Sequence, residues 1–169
     1  MTLEDFNVLP EAAARQTLTD CCSATQWVSQ MLAKRPFTNV GQFHDTSAKI
    51  WRSCTETDYL QAFEGHPQIG NMASLKAKYA RSASLCNHEQ SSMQQADEEL
   101  IQQMADLNQA YLKKFGFIYI VYASDKSPQQ MLSLLKERLT NSRAIELKIA
   151  AAEQYKITHL RINKLLGLI

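Results

Sequence analysis

From Cys86 to Lys114 the chain contains neither glycine nor proline, and Met93, Leu100, Ile101, Met104, Leu107, Tyr111 and Leu112 recur at helical spacing. A 3.6-residue period gathers these side chains on one face, and nothing in the run interrupts the backbone ladder, so a long amphipathic helix is required. Gly116 marks its end. A second uninterrupted stretch, from about Arg143 to Leu166, places Ile149, Ile157 and Leu160 on a core face. The whole sequence holds five glycines and four prolines. That is too few for a turn-rich all-β fold or for disorder, so helices are the default everywhere.

Shorter helices fill the first third. Pro10 stands at a first helical position before "EAAARQTLTDCC", Ser23 is a candidate cap for "ATQWVSQMLAKR", and Pro36 stops that helix. A further helix spans about Val40 to Arg52, with Phe43 and Ile50 one heptad apart and Trp51 beside them. Thr55 and Asp58 then form a capping-box start for a helix that ends at Gly65. Ser127, Pro128 and Gln130 make another such start before "MLSLLKERL". Between the two long helices, "FIYIVYA" is rich in β-branched and aromatic residues, but no second strand exists to pair with it. The expected fold is all-α: one domain over residues 1–169, a multi-helix bundle with a single buried extended segment near 117–123.

Charge narrows the partners. Eighteen basic residues against 17 acidic ones leave a formal net charge of +1, which gives no electrostatic footprint for nucleic acid or an anionic membrane. A small-molecule partner fits better. "MTLEDFNVLP" has acidic residues and no signal-peptide core, the longest apolar run is too short to span a bilayer, and "LGLI" is not a peroxisomal tripeptide, so a cytoplasmic protein is expected. Cys21, Cys22, Cys54 and Cys86 show no C-x-x-C spacing and read as reduced, mostly core-lining thiols. Only Cys86, two residues from His88, has a base near enough in sequence to be considered as a nucleophile.

Three positions could carry chemistry. In "AFEGHPQIGN", His66 precedes Pro67, and a residue before proline is pushed out of the helical region, so the imidazole sits on a stiff loop with Gly65 and Gly70 allowing the backbone to turn. A fixed, partly desolvated imidazole can exchange protons near neutral pH. On these residues alone the plainer reading, a helix-capping or loop histidine, comes first. Glu89 and Gln90 lie where the long helix starts, and a carboxylate there needs no more than the helix dipole to account for it. Arg161 lies four residues from Ile157 and from Leu165, which sets a guanidinium among apolar neighbours and calls for an acidic partner or an anionic ligand. His44, His88 and His159 form no metal-ligand motif, so no metal is expected, and neither a phosphate loop nor a nucleophile elbow is present.

Taken in order, "EGHPQIG" at 64–70, "EQ" at 89–90, "LNQAYLKKFGFIYIVYAS" at 107–124, "LKERLTNSRAIE" at 135–146 and "KITHLRINKLL" at 156–166 resemble the 2-oxo-4-hydroxy-4-carboxy-5-ureidoimidazoline (OHCU) decarboxylases of uric acid breakdown. The resemblance covers most of the chain and implies a cofactor-independent carboxy-lyase of the ureide branch of purine degradation that yields (S)-allantoin and forms a homodimer. It implies His66 as the catalytic acid/base, with Glu89 and Arg161 completing the catalytic set. Pro67, Cys86, Gln90 and the backbone of Ile120, Val121, Tyr122 and Ala123 would bind substrate. A segment without a strand partner has N–H and C=O groups to offer for that task. The chain departs from the family pattern at Cys86, where serine is usual, at Ile118, where proline is usual, and in reading "HPQI" for "HPDL". The alternative from another class is a helical interaction module with no catalysis, in which His66 is a turn residue and Arg161 a structural ion-pair partner.

Overall fold

The computed structural model describes residues 1–66, 90–123 and 126–169, and for 90–97 the backbone alone. Among the described residues there are eight α-helices and no strand: α1 (Leu3–Val8), α2 (Glu11–Cys21), α3 (Thr25–Ala33), α4 (Val40–Ser53), α5 (Glu56–Glu64), α6 (Gln90–Phe115), α7 (Pro128–Arg138) and α8 (Arg143–Leu165). The all-α expectation holds. Contacts group the chain into two units, Met1–His66 with Ile149–Ile169, and Pro67–Lys148. The α8 helix contributes its first residues to the second unit and the rest to the first.

Local signals set most boundaries. The capping boxes expected at Thr55/Asp58 and Ser127/Gln130 are both formed, with Pro128 opening α7. Pro10 stands one position earlier than expected, as the N-cap of α2. Ser23 does not cap α3. Ala24 holds that position without a side-chain bond, and the Ser23 hydroxyl instead donates toward the carbonyls of Gln61 (3.2 Å) and Ala62 (3.4 Å) in the last turn of α5. The six-residue α1 has no amphipathic length to betray it. It stands on a Thr2/Asp5 capping box and on the burial of Leu3 and Phe6.

In the first unit α3 packs against α2, α4 and α5. Its aromatic core joins Phe43 to Phe6 and Phe37, at ring separations of 5.3 and 4.6 Å. Trp51 is buried and donates its indole N–H to the Ala151 carbonyl of α8 at 3.0 Å. In the second unit α6 packs on α7. Tyr111 and Phe115 of α6 meet Phe117 and Tyr119 of the following segment edge-on or stacked. That segment is neither helix nor strand, and Phe117, Tyr119 and Ile120 are buried as expected.

The core face of α8 differs from the one its isoleucines suggest. Ile149, Ile157 and Leu160 are only half-buried, while Glu146, Ala150, Gln154, Thr158, Ile162 and Leu166 are buried at a strict four-residue interval. Three polar side chains therefore lie on the most enclosed line of the helix. Each must be paired inside the protein, because a buried polar group without a partner costs free energy comparable to a lost hydrogen bond.

Candidate active site

His66 enters through the end of α5. The chain leaves the helix at Gly65, and the His66 N–H bonds back to the Phe63 carbonyl at 3.1 Å, one tight turn beyond the last helical residue. Gly65 has φ −69° and ψ −4°, a conformation open to any residue, so conformational freedom does not explain it. Space does. A Cβ at this position would lie 2.1 Å from the Ser23 hydroxyl oxygen and 2.9 Å from its Cβ. Gln61 strengthens the same docking, accepting from the Thr25 N–H at 2.9 Å and donating to the Thr25 hydroxyl at 2.8 Å. The end of α5 is thus clamped to the corner between α2 and α3, and His66 is set down beside it.

Across from this corner runs α8. The Nε2 of the half-buried His66 lies 2.6 Å from Gln154 Oε1, Gln154 Nε2 donates to the Thr158 hydroxyl at 3.3 Å, and that hydroxyl donates to the Gln154 carbonyl at 3.1 Å. One turn further on, Arg161 Nη1 lies 3.4 Å from the carbonyl oxygens of Asp20 and Cys21. These belong to the last turn of α2, the negative end of its dipole, so Arg161 acts there as a C-terminal cap. Among the described residues no carboxylate pairs with it. The sequence called for an acidic partner or an anionic ligand; the described structure supplies carbonyl oxygens instead.

Electrostatics follow from this packing. Burial lowers the His66 pKa below the ordinary 6.5, the Gln154 hydrogen bond raises it, and the nearby Arg161 charge lowers it again, with a net downward shift. The imidazole is therefore neutral at pH 7 and competent to take up a proton. The cysteines near Arg161 stay protonated. Burial pushes the Cys21 thiol up to about 12 and the Cys22 thiol to about 11. Both are free and buried, while Cys54, also free, is only half-buried.

In the second unit a different network holds the 117–123 segment. Glu146, fully buried, accepts from the Tyr111 hydroxyl at 2.5 Å, from Asn141 at 2.8 Å and from the Arg138 guanidinium, with which it forms an ion pair. Arg138 also donates to the Ile120 carbonyl at 2.6 Å and lies 4.7 Å from the centre of the Tyr119 ring. Lys126 engages the next carbonyls, its N–H reaching Ala123 at 3.3 Å and its ammonium Tyr122 at 2.9 Å. The carbonyls of Ile120, Tyr122 and Ala123 are therefore occupied within the chain, contrary to the expectation that this backbone is open on both sides.

The structure thus brings His66 and Arg161 to one place, with Ile120, Val121, Tyr122 and Ala123 in the other unit. Pro67, Cys86 and Glu89 lie outside the described residues, and Gln90 opens α6 with only its backbone described. Gln154, bonded to His66, and Thr158, bonded to Gln154, escape the sequence reading because it sets the core face of this helix on Ile149, Ile157 and Leu160 and leaves these polar side chains off it. The signal available was a polar pair on the i, i+4 line where an apolar pair is usual. No group of three metal-ligating side chains occurs among the described residues, and no described helix is long and apolar enough to cross a membrane.

The described residues thus define an all-α protein with a half-buried histidine bonded to a buried glutamine of its last helix, within the field of an arginine one to two turns further along. The family profile described as OHCU decarboxylase matches residues 7–163, and the chain belongs to that family. It is 38% identical over 148 residues to the "Uric acid degradation bifunctional protein TTL" of Arabidopsis thaliana, an alignment covering 86% of this chain and 45% of that protein, so the chain spans less than half of that relative's length. It is 23% identical over 163 residues to the 2-oxo-4-hydroxy-4-carboxy-5-ureidoimidazoline decarboxylase of Haloferax volcanii, covering 96% of this chain and 94% of that one. A crystal structure of an OHCU decarboxylase in the presence of (S)-allantoin superposes with a TM-score of 0.70 at 36% identity, covering 88% of this chain and 96% of that chain.

Proposed function

We propose that this domain decarboxylates OHCU to (S)-allantoin, with His66 as the acid/base, Glu89 tuning and orienting it, and Arg161 binding an anionic or carbonyl oxygen. The carrying observation is the neutral His66 imidazole, fixed on Gln154 within the field of Arg161. Family membership supports the choice of substrate.

The substrate has its carboxylate on a carbon that also bears a hydroxyl and adjoins a ring C=N bond. When the bond to the carboxylate breaks, its electron pair forms a ring C=C bond while the C=N pair moves to nitrogen, which takes a proton. The enol so formed becomes allantoin when its hydroxyl proton leaves and the neighbouring carbon is protonated on one face. Overall one proton replaces carbon dioxide. The substrate is its own electron sink, so what the protein supplies is orientation and a proton carrier at the hydroxyl and carbon, the two tasks proposed for Arg161 and His66.

The test is to mix purified protein with freshly generated OHCU and follow the optical activity of allantoin by circular dichroism. A positioned acid/base group contributes roughly 10²–10⁴-fold in rate, so folded His66→Asn is expected to lose at least the lower figure. Near-normal turnover by that variant sinks the assignment. The proposal extends to Pro67, Cys86, Gln90 and the 120–123 backbone as substrate contacts, and to a cytoplasmic homodimer. Light scattering on the eluted protein tests the dimer.

A further inference from the structure

We infer that Gln154 is a positioning residue that fixes His66 as the Nε2–H tautomer and leaves Nδ1 as the nitrogen that exchanges protons with substrate. This rests on the acid/base reading of His66 and deepens it.

The argument starts at Thr158. Its hydroxyl has one hydrogen, and that hydrogen is committed to the carbonyl of Gln154, one turn back in α8, at 3.1 Å. The oxygen then has only lone pairs for Gln154, so the side-chain amide nitrogen must be the group that faces it, at 3.3 Å. With its nitrogen so placed, Gln154 turns its oxygen to His66.

The distance at His66 supports the same orientation. Gln154 Oε1 stands 2.6 Å from Nε2, just under the usual range for an N–H···O bond and closer still than two nitrogens would approach. A carboxamide oxygen carries no hydrogen. A neutral imidazole facing it must put its own hydrogen on Nε2, which leaves the Nδ1 lone pair open. Among the described residues Nδ1 has no hydrogen-bond partner. Gln154 and Thr158 are both fully buried, so water cannot easily take over if either is altered. In the proposed reaction Nδ1 accepts the hydroxyl proton, and the Gln154 oxygen continues to accept from Nε2–H in the imidazolium. Arg161 disfavours that charge and helps return the proton to carbon.

The test is nitrogen NMR of histidine-labelled protein above pH 7 without substrate, with His66 assigned by its loss in His66→Asn. The expected pattern is a protonated-type shift at Nε2 and an unprotonated one at Nδ1; the reverse pattern overturns the inference. In Gln154→Leu the tautomers should mix and kcat should fall by roughly 10- to 100-fold with little change in KM. Gln154→Glu keeps the acceptor and should keep Nε2 protonated. An unaltered single tautomer in Gln154→Leu also overturns the inference. If Gln154→Leu does not fold, Thr158→Val, which releases the carboxamide, carries the same expectation, and the wild-type pattern alone remains decisive. Full turnover by His66→Asn would instead remove the acid/base reading and leave the tautomer assignment standing, so the two failures are distinguishable.

Discussion

At the scale of single residues, the site depends on a glycine whose absent side chain makes room. A Cβ on Gly65 would collide with Ser23, which is itself bonded to the end of α5, so relief requires the α5 terminus or the α2–α3 corner to move. Overpacking of this kind costs about 1–3 kcal/mol, and Gly65→Ala is expected to lower stability in that range in urea melts. Adding Ser23→Gly should recover most of it. If the double variant is no more stable than the single one, Gly65 serves some other purpose. The depressed His66 pKa makes a second expectation at this scale: the acid limb of kcat/KM should lie below 6.5. Because burial contributes most to the depression and Arg161 adds to it, Arg161→Gln should move the His66 titration upward, as read by NMR. A downward move would show that Arg161 does not act on His66 through its charge.

Helix starts closed by capping boxes were legible in the sequence, and so were the core faces of α4 and, in Ile101, Met104 and Tyr111, of α6; the face of α8 was not. The starts of α5 and α7 are local transactions between residues three apart, so Thr55/Asp58 and Ser127/Gln130 could be read directly. The face of α8 depends on what packs around it. Its buried line includes Glu146, Gln154 and Thr158 because each is satisfied, the first by Arg138 and Tyr111, the second by His66, and the third by Gln154 within the helix itself. Seen without those partners, the same residues look like a solvated stripe. The Arg138–Glu146 pair shows the energetic consequence. Removing one member of a buried ion pair leaves the other charged and unpaired, at about 3–5 kcal/mol, so Arg138→Met should destabilise strongly in denaturant melts. Arg138→Met with Glu146→Leu should recover part of that loss. Failure to recover any would mean that the contacts of Arg138 to Ile120 and Tyr119 matter more than the pair.

For the whole molecule, two histidines tie folding to pH. Burial lowers the pKa of both His66 and His44, and the stacked His159, at a ring separation of 4.2 Å, lowers that of His44 further. An unfolded chain takes up these protons near the ordinary 6.5, while the folded chain resists until lower pH. The unfolded state thus binds more protons within this window, and stability falls as pH drops through it. Thermal melts from about pH 7 toward about pH 5 should show a declining Tm, and His44→Asn should flatten part of the slope. A slope that stays the same in His44→Asn would remove His44 from this account.

Sequence by itself determined that this chain is all-helical, where most helices begin and end, and, through motif order, the family to which it belongs. Those features are local or linear: a capping box closes within four residues, and a missing glycine or proline acts on its own turn. Only the tertiary structure decided why Gly65 must be glycine, which carbonyls of the 117–123 segment are already occupied, and that Gln154 and Thr158 stand behind His66. His66 and Gln154 are 88 positions apart in the chain. No periodicity within either helix encodes a contact of that range, because it exists only once α8 has packed against the end of α5 and burial has left a polar side chain one partner to choose.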